Sequence, residues 1–262
     1  MKKIAITLLA SFVGLQATFA ADPAFIMSKK GKKIQTKTIE ADAVGNLTYS
    51  KGRVKSKIKK NDYSYAWLPY QSTVLSKIDG AMKKEKSKKV ADLYLKYAEK
   101  YKFVGWDLYC KYNAAVCLDA LKQTDKAITL LESIKSVTVK NKLKQPHLEQ
   151  AQSILATLYS KQGMTSKAAA MIPSLVKSSN GDIAGSALVV QGDMQVNKNK
   201  NKDAVLSYLQ TALLFPKSNK SREEALYKAV TTMKKMNDAG RAKKFIDILK
   251  RDYPNGTFTN KL

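Results

Sequence analysis

The sequence predicts a mainly α chain: an α–α superhelix, a solenoid of about five helical hairpins, preceded by a small antiparallel β module. Three observations predict it. Alanine recurs at positions 91, 127, 168, 204 and 242, in steps of 36, 41, 36 and 38 residues. A near-constant period of that size marks stacked hairpins, each too small to bury its own apolar face. The apolar spacing changes from two residues to three or four at "WLPY", residues 67–70, where proline also disfavours helix in the residue before it. Finally, "ATLYSKQGMTSKAAAMI", residues 156–172, sets Gly163 between two helical patterns, where positive φ costs glycine little.

The elements follow in order. Residues 1–20 read as a secretory signal peptide: Lys2 and Lys3, an apolar core at 4–15, then small residues up to cleavage near Ala20. That core is well short of the roughly 20 residues that span a bilayer, so no transmembrane segment is expected in the mature chain. The protein is expected to be exported, periplasmic or secreted.

Residues 21–69 read as a β meander. Ile34, Thr36, Thr38 and Glu40 fall on one face of a period-two pattern; Leu47 and Tyr49, then Val54, Ser56 and Ile58, give two more short strands. Gly45-Asn46 and Lys51-Gly52 supply turns.

Residues 70–262 read as the helical repeat domain. Leu75, Ile78 and Met82 lie on one helical face, and Ala91, Leu95 and Ala98 on the next. In the quoted stretch Tyr159 shares a face with Leu155, and Ala156 lets a neighbouring helix approach. Lys86 and Lys122 stand where a turn glycine is expected, and "VNKNKNKD" is expected to replace a tight turn with a polar tip.

Charge and cysteine use bound the function. The formal net charge is +26, yet only four of the 47 basic residues are arginine. Lysine is a solvated point charge without the planar fork that reads phosphates and bases, so the excess points to attraction toward anionic surfaces and not to specific nucleic-acid recognition. Cys110 and Cys117, seven residues apart on one helix, would be about 10 Å apart, beyond disulfide reach, and are expected as buried, unpaired small residues. His147 is the one histidine and is expected as a surface or helix-start residue, because it has no neighbouring metal ligands and no nucleophile partner. No cofactor, metal site or catalytic constellation is legible, and an enzyme is not expected.

The repeating segments resemble the tetratricopeptide repeat family, in which a small residue and a large apolar one precede the turn glycine and alanine opens the second helix. Residues 151–180 carry the likeness through Leu155, Ala156, Tyr159, Gly163 and Ala168; two later segments carry it through Pro216 and Pro254. The strand-rich segment resembles small SH3-like β modules. "GRAKKFIDILKRDYPNG" resembles the last repeat of envelope proteins that coordinate outer-membrane or cell-wall assembly, without the coiled coil some of them carry.

The resemblance implies a concave face lined by the first helix of each hairpin. Carried over position by position, it picks out Lys77 and Lys84, then Tyr112 and Asn113, then Ser153, Thr157 and Lys161, and Tyr227, Lys228, Thr231 and Lys235. Lysines beside amides, hydroxyls and tyrosines would suit an acidic peptide or a chain carboxylate. Two functions stay open on the sequence: an exported adaptor that holds a protein or peptide partner in that groove, with a role in envelope assembly, or a structural protein that tethers anionic wall or lipid polymers through its lysines.

Overall fold

The computed structural model describes residues 23–68, 73–135, 147–217 and 219–262, with residues 134 and 135 described by backbone alone. The expected signal peptide and the second half of "WLPY" lie outside the described residues.

Among the described residues six short strands come first: β1 Ala24–Ser28, β2 Lys33–Thr36, β3 Ile39–Ala41, β4 Leu47–Lys51, β5 Val54–Ile58 and β6 Tyr63–Trp67. Every pairing is antiparallel, but the strands build two three-stranded sheets, β2–β1–β6 and β3–β4–β5, and not a single meander. The stretch from Ile34 to Glu40, expected as one strand, breaks between the sheets. Buried Thr36 marks the break: its Oγ1 lies 2.7 Å from the Ser50 carbonyl and 3.0 Å from that of Thr38. Side-chain bonding of this kind competes with the strand ladder.

Ten helices follow among the described residues: α1 Thr73–Lys84, α2 Lys88–Tyr101, α3 Asp107–Ala120, α4 Thr124–Lys135, α5 Leu148–Lys161, α6 Thr165–Leu175, α7 Gly181–Asn197, α8 Asn201–Leu214, α9 Arg222–Lys235 and α10 Ala239–Asp252. They pair in sequence as five hairpins. The periodic alanine is the fourth residue of every second helix, and Ala91, Ala127, Ala168, Ala204 and Ala242 are each no more than 1% exposed. A methyl group is what fits where two helix backbones close on each other; a larger side chain would overpack the contact.

Three residues join the two helices of each hairpin. In the last four turns the middle residue is left-handed: Lys122 (φ 63), Gly163 (φ 70), Asn199 (φ 58) and Asn237 (φ 61). The closing hydrogen bonds repeat as well. The third turn residue donates its N–H five residues back, from Gln123 to Leu118, Met164 to Tyr159, Lys200 to Gln195 and Asp238 to Met233, all at 2.8 or 2.9 Å. That is the Schellman closure of a helix end. "VNKNKNKD" is therefore the same tight turn as Gly163 makes, with asparagine in place of glycine, and not a polar tip. Only the first turn differs: residues 85–87 lack a left-handed residue, and Ser87 instead caps α2 by accepting from the Val90 N–H.

Strands and helices share one core. Ala24, Ile26, Leu47, Tyr63 and Ala66 pack in the same cluster as Leu75, Ile78, Tyr94, Ala98 and Trp106. The junction is pinned by Trp106, whose Nε1 donates to the Leu68 carbonyl at 2.8 Å and whose ring lies parallel to Trp67 at 5.9 Å. Cys110 and Cys117 are buried and unpaired in that cluster, and burial pushes the Cys110 thiol up to about 12.

His147 does start a helix, as the left-handed residue before α5, but it is not a surface group. Its ring sits 5.1 Å from both Trp106 and Tyr109 and 6.2 Å from Tyr112. Burial there drives its pKa down to about 4, and its buried Nε2 has no hydrogen-bond partner among the described residues.

Candidate functional site

Consecutive first helices α3, α5, α7 and α9 pack one on the next, whereas the second helices pack mainly on the first helices flanking them. Helices that touch lie on the inside of a curve, so the first helices line the inner face, as in other hairpin solenoids.

A recess of about 320 Å³ opens on that side, where the C-terminal ends of α5 and α7 meet α9. Ser160 and Lys161 of α5 line it, with Asp193, Val196 and Asn197 of α7, Tyr208 of α8 and Lys228 of α9. Asp193 is its hub. The carboxylate accepts from Lys228 Nζ at 2.7 and 2.9 Å and from the Tyr208 hydroxyl at 2.7 Å. Lys228 also pairs with Glu224 one turn before it, at 2.8 Å. Burial works against the Lys228 charge, but Asp193 and Glu224 outweigh it and raise the pKa, so the ammonium persists. Burial, reinforced by Asp193 and then Glu224, holds the Tyr208 phenol well above its usual value, so it acts here as a neutral donor. One step along, Lys161 pairs with Asp119 at the end of α3. Two cations thus bracket the recess, each already held by a carboxylate of a neighbouring first helix.

The candidate residues read from sequence divide by position. Lys161 and Lys228 meet at this recess, with Thr157 one turn before Lys161, its hydroxyl donating to the Ser153 carbonyl at 3.0 Å. Thr231 and Lys235 are exposed farther along α9. Asn113 and Ser153 are buried, and the Asn113 amide donates to the Tyr109 carbonyl within its own helix, so neither presents a polar group outward. Tyr112 belongs to the aromatic nest around His147. Tyr227 is partly covered by Phe258, 5.7 Å away. Lys77 and Lys84 are exposed on α1, which packs chiefly on α2 and reaches α3 through Asp79, whose carboxylate accepts from the Tyr109 hydroxyl; neither lysine lines the recess.

Sequence reasoning missed Asp119, Asp193 and Glu224. It sought cations for an acidic partner and gave no weight to the carboxylates that hold them. A signal was present: Glu224 and Lys228 are four apart on one helix, the spacing of an intrahelical ion pair.

Two segments of the chain, residues 109–136 and 224–256, match the tetratricopeptide repeat family model. No curated protein matches the chain at a meaningful level. Among solved structures, the Rap protein complexed with Competence and Sporulation Factor is similar at 16% identity over 66% of this chain and 51% of its own, with a TM-score of 0.56. The apo form of the quorum sensor NprR from B. thuringiensis is similar at 18% identity over 65% of this chain and 50% of its own, with a TM-score of 0.52. The chain thus spans about half the length of each, and these likenesses establish the fold. The repeats agree in hairpin order, turn and alanine position with the tetratricopeptide pattern.

Proposed function

We propose that this tetratricopeptide-like repeat protein is an exported, non-enzymatic scaffold that holds an acidic peptide segment of a protein partner on the inner face of its array. The observation that carries the reading is the Asp193–Lys228 recess. It offers a fixed cation beside a neutral tyrosine, an asparagine amide and apolar Val196, which suits a peptide carboxylate with an apolar neighbour. Lys161 and Lys228 would exchange their present carboxylates for the partner's. The likeness to the Rap protein, which is complexed with Competence and Sporulation Factor, supports a binding role for this architecture. Export rests on the signal-like residues 1–20, and a role in envelope assembly on the likeness of the final repeat.

The test is a cross-linked capture from the native envelope fraction, with the mature chain as one bait and Lys161→Glu/Lys228→Glu as the other. A protein held by the first and lost by the second supports the reading. Identical captures from both baits would overturn it. Washing at about 0.3 M salt, where the screening length falls to several ångströms, separates this from the tethering alternative, since attachment by charge alone would be lost from both baits.

A further inference from the structure

The strand segment carries a separate surface that the inner face does not use. From residue 23 to residue 68 there are ten lysines and one arginine against Glu40, Asp42 and Asp62. The cations are not spread evenly. At the turn between β4 and β5, Lys51, Gly52, Arg53, Val54 and Lys55 are all exposed, and Val54 is 66% exposed. The register pairs Val54 with Lys51 on one face of the hairpin and Lys55 with Ser50 on the other, so cations flank the tip on both faces. Lys57 lies two residues beyond Lys55, on the same face and about 6.6 Å along the strand.

Neutralising groups lie elsewhere. Asp42 sits at the opposite end of β4, where its carboxylate accepts from the N–H groups of Val44, Gly45 and Asn46 and from the Asn46 amide. Asp62 follows the far end of β5, and Glu40 on β3 is in register with Thr48 and so with Lys57, two residues short of Lys55 at the tip. Among the described residues, the ion pairs involve helical segments and their connections: Lys161, Lys167, Lys217, Lys220, Arg222 and Lys228 each have a carboxylate, whereas Lys51, Arg53 and Lys55 have none. The β4–β5 tip is therefore cationic without ion pairs, with Val54 beside Lys51 on one face and Lys55 on the other.

Lysines on an edge strand also discourage sheet-to-sheet aggregation. That role needs no exposed valine at the tip, and it would be served by charges along the strand. An exposed apolar residue at a hairpin tip with cations on both faces matches a bilayer interface met end-on, where charge draws the protein to anionic headgroups and the apolar group enters the acyl boundary. A soluble polyanion would have no use for the valine. No described helix is long and apolar enough to cross a membrane, so contact of this kind would be peripheral. We infer that the β4–β5 hairpin tip is a docking site for an anionic phospholipid bilayer, with Lys51, Arg53 and Lys55 on the headgroups and Val54 at the interface. The inference is independent of the inner-face reading.

The experiment is vesicle co-sedimentation of the chain from Ala21 to Leu262, which holds every described residue. Vesicles of phosphatidylcholine alone are compared with vesicles in which about one lipid in three is phosphatidylglycerol. Binding to the anionic vesicles and not to the neutral ones is expected. Lys51→Gln/Arg53→Gln/Lys55→Gln should weaken it about 100-fold, at roughly fivefold per cation removed from an anionic surface. Val54→Ser should weaken it severalfold, while Lys243→Gln/Lys244→Gln/Lys250→Gln on α10, which removes equal charge, should have little effect. All changed residues are exposed, and unchanged circular dichroism confirms folding. Equal losses from the two triple variants would overturn the proposal in favour of net charge. An unaffected Val54→Ser, with soluble polyphosphate competing fully, would overturn it in favour of a polymer ligand.

Discussion

The ring of Tyr208 on α8 occupies the space that a side chain on Gly192 of α7 would need: a Cβ there would lie 2.3 Å from the ring. The hydroxyl of that tyrosine is fixed on Asp193, the next residue of α7, so the ring cannot swing aside without giving up a hydrogen bond. One glycine therefore sets both the approach of two helices and the position of the group that anchors the recess.

Gly192→Ala should for this reason destabilise the protein by about 1–3 kcal/mol, the usual cost of overpacking a well-filled contact. The urea midpoint should fall. An unchanged midpoint would mean that α7 and α8 can part at no cost.

Lys122 holds a left-handed conformation that glycine holds in the equivalent turn at Gly163. Lys122→Gly should stabilise by about 0.5–1 kcal/mol, because relief of side-chain strain exceeds the added freedom of the unfolded chain. Lys161→Gly, at a right-handed helix position, should instead destabilise by a similar amount. Denaturant midpoints of the two variants should move in opposite directions.

Lys228 and Asp193 link two successive first helices. Both side chains are partly exposed, 26% and 31%, so the pair merits a modest value. A double-mutant cycle of Lys228→Met and Asp193→Asn should give a coupling of about 1 kcal/mol. A coupling near zero would show that the pair contributes nothing net to holding α7 and α9.

His147 makes stability depend on pH. Its pKa is about 4 in the fold against 6.5 ordinarily. Between those values the unfolded chain binds more protons than the folded one, so this contribution is complete above about pH 6.5 and is lost as pH falls toward 4. The loss of stability from pH 7 to pH 5 should be smaller in His147→Phe than in the original chain, measured by urea denaturation at each pH.

The array was legible in sequence because its defining contact needs one residue type at one position: the five alanines are all buried at the fourth residue of their helices. The turns were only half legible. Gly163 announces a left-handed residue, but Asn199, Asn237 and Lys122 adopt the same conformation under the constraint of the flanking helices. Strand β1 was missed because its pairing with β6 joins residues about 40 apart, and the local pattern around Phe25 does not reveal that partner. The nest around His147 was illegible for the same reason, since Trp106 and Tyr109 are distant in sequence. At the recess, Lys161 and Lys228 were found by type, but their carboxylate partners belong to other helices in the case of Asp119 and Asp193.

The core that joins the strands to the first helices has a mechanical consequence. Leu68 and Trp106 fasten the last strand directly to the start of α3, and the apolar cluster continues across that join. A load applied at the strand end would pass into the repeats without a swivel between them. The molecule is then a lever and not a leash: whatever seizes its front fixes the direction in which its inner face is aimed.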